Sequence, residues 1–323
     1  MFFSILRSYS KSNELIKEAK DIILDTKERI RETKEKLLEE ISKNDLLKDQ
    51  LNIKGIKRFQ KLTQKLKDEP YLEIATIKLT PFVEQVEPLI KESETEPPEI
   101  IELSHNRKSA IFSAILATLI TFVSAILIGA FATDTPIALE TFKDYENLKN
   151  IFAWIGGGLF DPKMANSTLG LIGLLSISIG IGIVIWFKII SKRSKENLAV
   201  SEAMLKDANS YESEINEIVN RMQNLTKSLQ NYRTNIEICD AYINEYNATI
   251  RRIILTEGDD FENLKPSSKQ LIKRASNVIL AVIPYLDIMI ITTDNKASNQ
   301  LTQAIDDTKK LVGDLIEEKP ISI

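Results

Sequence analysis

The chain is nearly without the side chains on which most metal and nucleophile chemistry depends: it holds one cysteine, Cys239, and one histidine, His105. An intramolecular disulfide, a Cys/His zinc site and any mechanism that needs two histidines are therefore excluded. Charge of one sign is missing too, because 42 Lys and Arg stand against 46 Asp and Glu for a net charge of −4. No bulk positive field gathers nucleic acid, and no nucleic-acid partner is expected. No Walker motif, dinucleotide fingerprint or Asp-x-Asp metal loop occurs, and the carboxylates sit beside lysines as solvated helix-face charges. Catalytic, cofactor-binding and metal-ligating residues are all read as none, and the chain is expected not to be an enzyme. Glycine is scarce except in one region, since eight of the 11 lie between Gly129 and Gly182.

That region is bordered by two runs that lack charge altogether. Ser109 to Thr133 holds no charged residue, and as a helix it spans about 37 Å, enough for a hydrocarbon core of about 30 Å. A second uncharged run, Met164–Phe187, is bracketed by Lys163 and Lys188 and contains LGLIGLLSISIGIGIVIWF. Soluble cores rarely carry two such runs, so both are expected to be transmembrane helices. Arg107 and Lys108 precede the first, and Lys188, Lys192, Arg193 and Lys195 follow the second, whereas the connection carries more acids than lysines. The excess of Lys and Arg places both termini on the cytoplasmic side. Neither run contains Asp, Glu, Lys, Arg or His, which disfavours a proton relay or voltage sensor built from these two helices.

Small residues mark where the spans pack. Ser113, Ala117, Thr121, Ala125 and Gly129 recur every four residues in the first span, and Ser176/Gly180 and Ser178/Gly182 answer in the second. Such faces let helices approach closely in lipid, where no hydrophobic force acts between them. Between the spans, Leu139–Ile155 has apolar residues at spacings of three and four and is expected to lie on the membrane surface. Gly156–Gly158 lacks the Lys-Ser/Thr of a phosphate loop and reads as a turn. The Asn166-Ser167-Thr168 sequon abuts the membrane and reads as chance.

The flanks are helical arms. Ser191 to about Leu255 has neither Pro nor Gly, which allows one helix of about 65 residues, ending at Gly258. Heptad a positions fall at Ile215, Met222, Leu229, Ile236, Ile243 and Ile250, and d positions at Ile218, Leu225, Tyr232, Cys239, Tyr246 and Ile253. This is a strong coiled-coil signal. The amino-terminal arm repeats Ile16, Ile23, Ile30 and Leu37 at seven and needs a partner, for which the rod is the natural candidate. Gly55 divides that arm, Pro70, Pro81 and Pro88 break the next stretch into short pieces, and Glu92–Glu102 is an acidic linker. Val278–Ile291 is apolar but too short to cross, so burial in a bundle is expected, with a third span as the alternative. Asp287 would then be the one acid in a membrane.

The fold class read from these patterns is all-α: a two-span transmembrane hairpin flanked by long cytoplasmic coiled-coil or helical-bundle arms. Its segments are 1–69, a charged helix; 70–108, a Pro-containing acidic linker; 109–133, the first span; 134–163, an outer loop; 164–187, the second span; 188–257, the long helix; and 258–323, a carboxy-terminal helical unit. The expected partners are the lipid bilayer, a second copy meeting it through the coiled coil, and a cytoplasmic protein. No cofactor is expected. The order long helix, hydrophobic hairpin, long helix is similar to that of helical pore-forming toxins of the cytolysin A and tripartite haemolysin type, which gives the alternative reading of a concealed-hairpin pore former. A small oligomeric channel or membrane effector is the remaining alternative.

Overall fold

A computed structural model describes residues 2–67, 79–103, 107–136, 145–158 and 165–317. The readings at Pro70, His105, Leu139 and Lys163 fall outside the described residues, as do the side chains of residues 1–6 and of Arg107. The structure is nearly all helical, with no strand among the described residues. Its helices are α1 (Phe2–Gln50), α2 (Lys57–Thr63), α3 (Phe82–Glu92), α4 (Arg107–Ala132), α5 (Tyr145–Ala153), α6 (Ser167–Glu257), α7 (Pro266–Val282) and α8 (Asn299–Ile316).

The helix boundaries follow local chemistry. Asn166 accepts from the backbone N–H groups of Thr168 and Leu169 at 3.0 and 3.1 Å and so caps α6. The side-chain oxygen of the sequon asparagine makes that cap. From there α6 runs without a break to Glu257, where Gly258 at φ +101° stops it. The second uncharged run therefore continues as one helix into the charged segment, because Lys, Arg, Ser and Glu across 188–196 all tolerate a helix and no Pro or Gly interrupts. Pro266 opens α7, and the Ser298 side chain accepts from Leu301 N to cap α8. Gly55 does not end its arm. Leu51–Ile56 forms a π-helical turn that joins α1 to α2, with the Gly55 carbonyl accepting from Asn247 Nδ2 at 2.9 Å.

Two compact units make up the fold, each from two stretches of chain: Met1–Lys20 with Pro98–Asp207, and Asp21–Pro97 with Ala208–Ile323. In the second, α1 and α6 lie side by side and parallel. Arg29 reaches Glu212 at 3.0 Å, Glu40 meets Arg233 at 2.7 Å, and Lys67 exchanges backbone hydrogen bonds with Asp259 and Phe261. Helix α3 runs back along α1, with Phe82 N on the Asp45 carboxylate and Glu94 on Lys34. Arg274, Tyr285 and Asp294 pair in turn with Tyr246, Tyr232 and Arg221, so α7 and the chain after it descend antiparallel to α6. Helix α8 returns, held by Asn235 on the Ile305 carbonyl at 3.0 Å. The result is a helical bundle whose core is drawn from five distant stretches of sequence.

Val278–Ile291 belongs to that core. Val278, Ile279, Val282, Leu286 and Ile290 are fully buried, and the segment breaks into the end of α7, a 3₁₀ turn and an extended stretch. Asp287 accepts from Thr80 N at 3.0 Å. No helix long enough to cross a membrane forms there.

Candidate functional site

The first unit is dominated by α4 and the beginning of α6. Arg193 lies 3.5 Å from Ser109, Gly182 lies against Ala114 and Thr118, and Leu174 packs with Ile126 and Ala130. Partner numbers fall as α4 advances, so the two helices are antiparallel. The approach is close: a Cβ added at Gly182 would overlap Thr118 Oγ1 and stand 3.0 Å from the Ala114 carbonyl oxygen. Glycine supplies the missing volume that lets the helices meet.

The stripe on α4 faces inward. Ser113, Ala117, Thr121 and Ala125 are half-buried, and Gly129 is buried against Ile151 of α5. On α6 the two small pairs part company: Ser178 and Gly182 turn towards α4, while Ser176 is exposed and a Cβ at Gly180 would meet nothing within 4 Å. Both pairs satisfy the same four-residue spacing, so periodicity alone does not separate them. Thr118 and Thr121 donate to carbonyls one turn back, as hydroxyls in apolar helices do. The Ser178 hydroxyl is buried with no hydrogen-bond partner.

Between the two helices, α5 lays its apolar side on them. Ile151 is fully buried with Ile126, Ala130 and Leu174, and Phe152 and Ile155 pack at its edge. Ile151, Phe152 and Ile155 of the amphipathic stretch are thus spent on protein, while Tyr145 is 74% exposed. The glycines after it serve a close backbone approach: a Cβ at Gly156 would overlap the Asn166 carbonyl oxygen, and Gly157 sits at φ +133°.

What this packing leaves uncovered is the larger surface. On α4, Phe112, Ile115, Leu119, Ile120, Ile128 and Phe131 are 54–82% exposed, and on α6 Leu169, Ile172, Ile177 and Val184 are 56–64% exposed. In the most apolar 18-residue stretch of each helix, 6% is buried in α4 and 22% in α6. Both helices are long and apolar enough to cross a membrane. So many large apolar side chains exposed along two neighbouring helices are rare on a soluble monomer.

In the second unit the heptad positions of α6 point into the bundle. Ile215, Ile218, Met222, Leu225, Leu229, Tyr232, Ile236, Cys239, Ile243, Ile250 and Ile253 are at most 7% exposed, all within a single chain. Tyr246 is half-buried, and Asn247 beside it is buried because the Gly55 carbonyl needs its donor. The seam is thus filled by the chain's own helices. Burial pushes the Cys239 thiol up to about 12.

A polar cluster with no signature in the sequence pins α3 to the bundle. Lys48, its side chain 2% exposed, donates to the Thr80 carbonyl at 3.0 Å, stands 3.7 Å from Asp45 and lies 3.6 Å from the centre of the Phe82 ring. Burial pulls its ammonium below the ordinary value, opposed by Asp45 and Asp287. Asp45 in turn accepts from the first N–H of α3, at the positive end of that helix. The Tyr232 hydroxyl donates to the Tyr285 carbonyl at 2.7 Å. A cavity of about 380 Å³ opens beside Thr80, Gln85, Asp287, Met289 and Asn295. Its polar groups are already engaged: Gln85 bonds Ile288 and Ile290, Asp287 bonds Thr80, and Asn295 bonds Glu92. No group of three metal-ligating side chains forms among the described residues.

No protein-family model, curated protein or solved structure matches the chain.

Proposed function

We propose that the chain is an integral membrane protein with a non-enzymatic role. On this reading α4 and the first part of α6 cross the bilayer as a hairpin, both termini lie on the cytoplasmic side, and the helical bundle serves there as a scaffold or signal-transmitting body for a protein partner. The observation that carries it is the uncovered apolar surface of the two paired helices, 6% and 22% buried over their most apolar stretches. In water that surface is costly at about 25 cal/mol per Å², and hydrocarbon removes the cost. The basic residues at one end and the acidic connection at the other support the orientation.

The coiled-coil route to a homo-oligomer has less to recommend it than the hairpin, because the seam has its cover within one chain. A body complete in itself leaves the hairpin as the surface for self-association. That observation favours a second reading, a helical pore former or small channel assembled through its hairpin.

Fractionation of the producing cells, carbonate washing of the membranes and protease shaving from each side test the first reading. Retention in the washed membrane, with cleavage from outside confined to the loop 134–167, is expected. Recovery as a soluble or secreted protein that releases dye from vesicles would overturn it in favour of the second.

A further inference from the structure

The first unit gathers positive charge at one level of the hairpin. Lys188, Lys192, Arg193 and Lys195 follow the apolar run of α6 within eight residues, against one acid, Glu196. Arg193 lies 3.5 Å from Ser109, which brings the start of α4, with the exposed Lys108, to the same level. Lys11 of α1 stands 3.5 Å from Glu202, two turns further along α6. In a chain whose net charge is −4, this is a local excess of cations. The ion pair within this turn, Lys192 with Glu196 at 3.8 Å, is 80% and 60% exposed and holds its lysine weakly.

We infer that this collar binds anionic phospholipid headgroups and gives the hairpin a preference for membranes that contain them; the inference rests on the hairpin reading above. From Phe187 to Lys195 the helix rises about 12 Å. The cations therefore begin where hydrocarbon ends and extend through a headgroup layer about 5–8 Å deep into the first water beyond it. They lie within a Debye length of about 8–10 Å of the charged surface, where attraction to anionic lipid operates. Lysines snorkel readily at this depth, their stems on apolar neighbours and their ammonium groups among phosphates. The adjoining surface favours lipid over an acidic protein: Phe112 and Val184, 67% and 64% exposed, continue the collar into an apolar wall that hydrocarbon covers and a charged protein surface does not.

The test mixes the full chain with equal amounts of phosphatidylcholine vesicles and vesicles containing phosphatidylglycerol, separable by density, and measures its distribution. Wild type is compared with K188Q/K192Q/K195Q and with K27Q/K36Q/K43Q, which removes the same charge from exposed positions of the bundle. Each headgroup cation contributes roughly fivefold to anionic partitioning. The collar variant should lose on the order of a hundredfold of the preference and still enter neutral vesicles, while the bundle variant keeps it. An equal loss in both triple variants, or a wild type indifferent to lipid charge, would overturn the collar and leave the hairpin reading standing. A wild type found in neither vesicle would overturn both.

Discussion

Replacing Leu229 by Ala asks who covers the seam. Leu229 is fully buried in the bundle, on the face of α6 that the chain's other helices enclose. Removing three carbons from such a site costs about 2–5 kcal/mol, the transfer of the lost methyl groups plus the cavity they leave. Taking about 3 kcal/mol, and 2–4 °C per kcal/mol for a unit of this size, the midpoint should fall by roughly 6–12 °C. The assay is thermal unfolding of the detergent-solubilised full chain by circular dichroism, repeated over about a hundredfold range of concentration. A seam closed within one chain gives a midpoint that does not move with concentration in either protein. A seam between two copies would gain about 2.7 kcal/mol from the same range by mass action, and the midpoint would climb by roughly 5–11 °C. Such a climb, or an L229A protein that melts like wild type, refutes the assignment.

Three other outcomes are expected. Gly182→Leu should lower the melting temperature of the solubilised hairpin, because the added carbons meet Thr118 and the Ala114 carbonyl, whereas Gly180→Leu, with open space before it, should change it little; equal effects would show that the two glycines share an environment. Arg221 donates to Glu92 at 2.5 Å and holds its carboxyl below the ordinary range. A depressed folded-state value means stability that is present above about pH 4.5, the unfolded range, and is lost as pH falls through the folded value. Glu92→Gln should flatten that acid limb, and an unaltered limb in urea titrations would remove Glu92 from it. The Cys239 thiol, buried and raised to about 12, should resist iodoacetamide at neutral pH until the bundle is unfolded. Labelling at the rate of a free thiol in the native protein would place it outside the core.

The parts of this fold written in local sequence are those that depend on composition and period. The uncharged runs, the heptad positions from Ile215 to Ile253 and the stop at Gly258 need only a window of a few turns to be seen. The covers of the seam are another matter. Phe82, Ile272 and Leu301 come from distant segments, each with an ordinary amphipathic pattern and no mark of which face it will meet. Lys48 looks like any surface lysine of a charged arm until α3 folds back and puts Thr80 and Phe82 over it. Ser176 and Ser178 differ by two positions, and the side of α6 each occupies is set by the rotation of that helix against α4, which spacing does not encode.

The π-helical turn at Leu51–Ile56 has a genetic consequence. One residue rotates an α-helix by about 100°, so a deletion within α1 would turn every later side chain of that helix off its face. A π turn already holds one residue more than the α-helical path requires. Loss of Ile53, 59% exposed, would relax the turn to ordinary helix and leave Phe59 and Leu62 facing inward as they do now. This is the one described stretch of the arm where reading-frame-preserving loss of a codon should be tolerated, and where a past single-codon insertion would have left its trace.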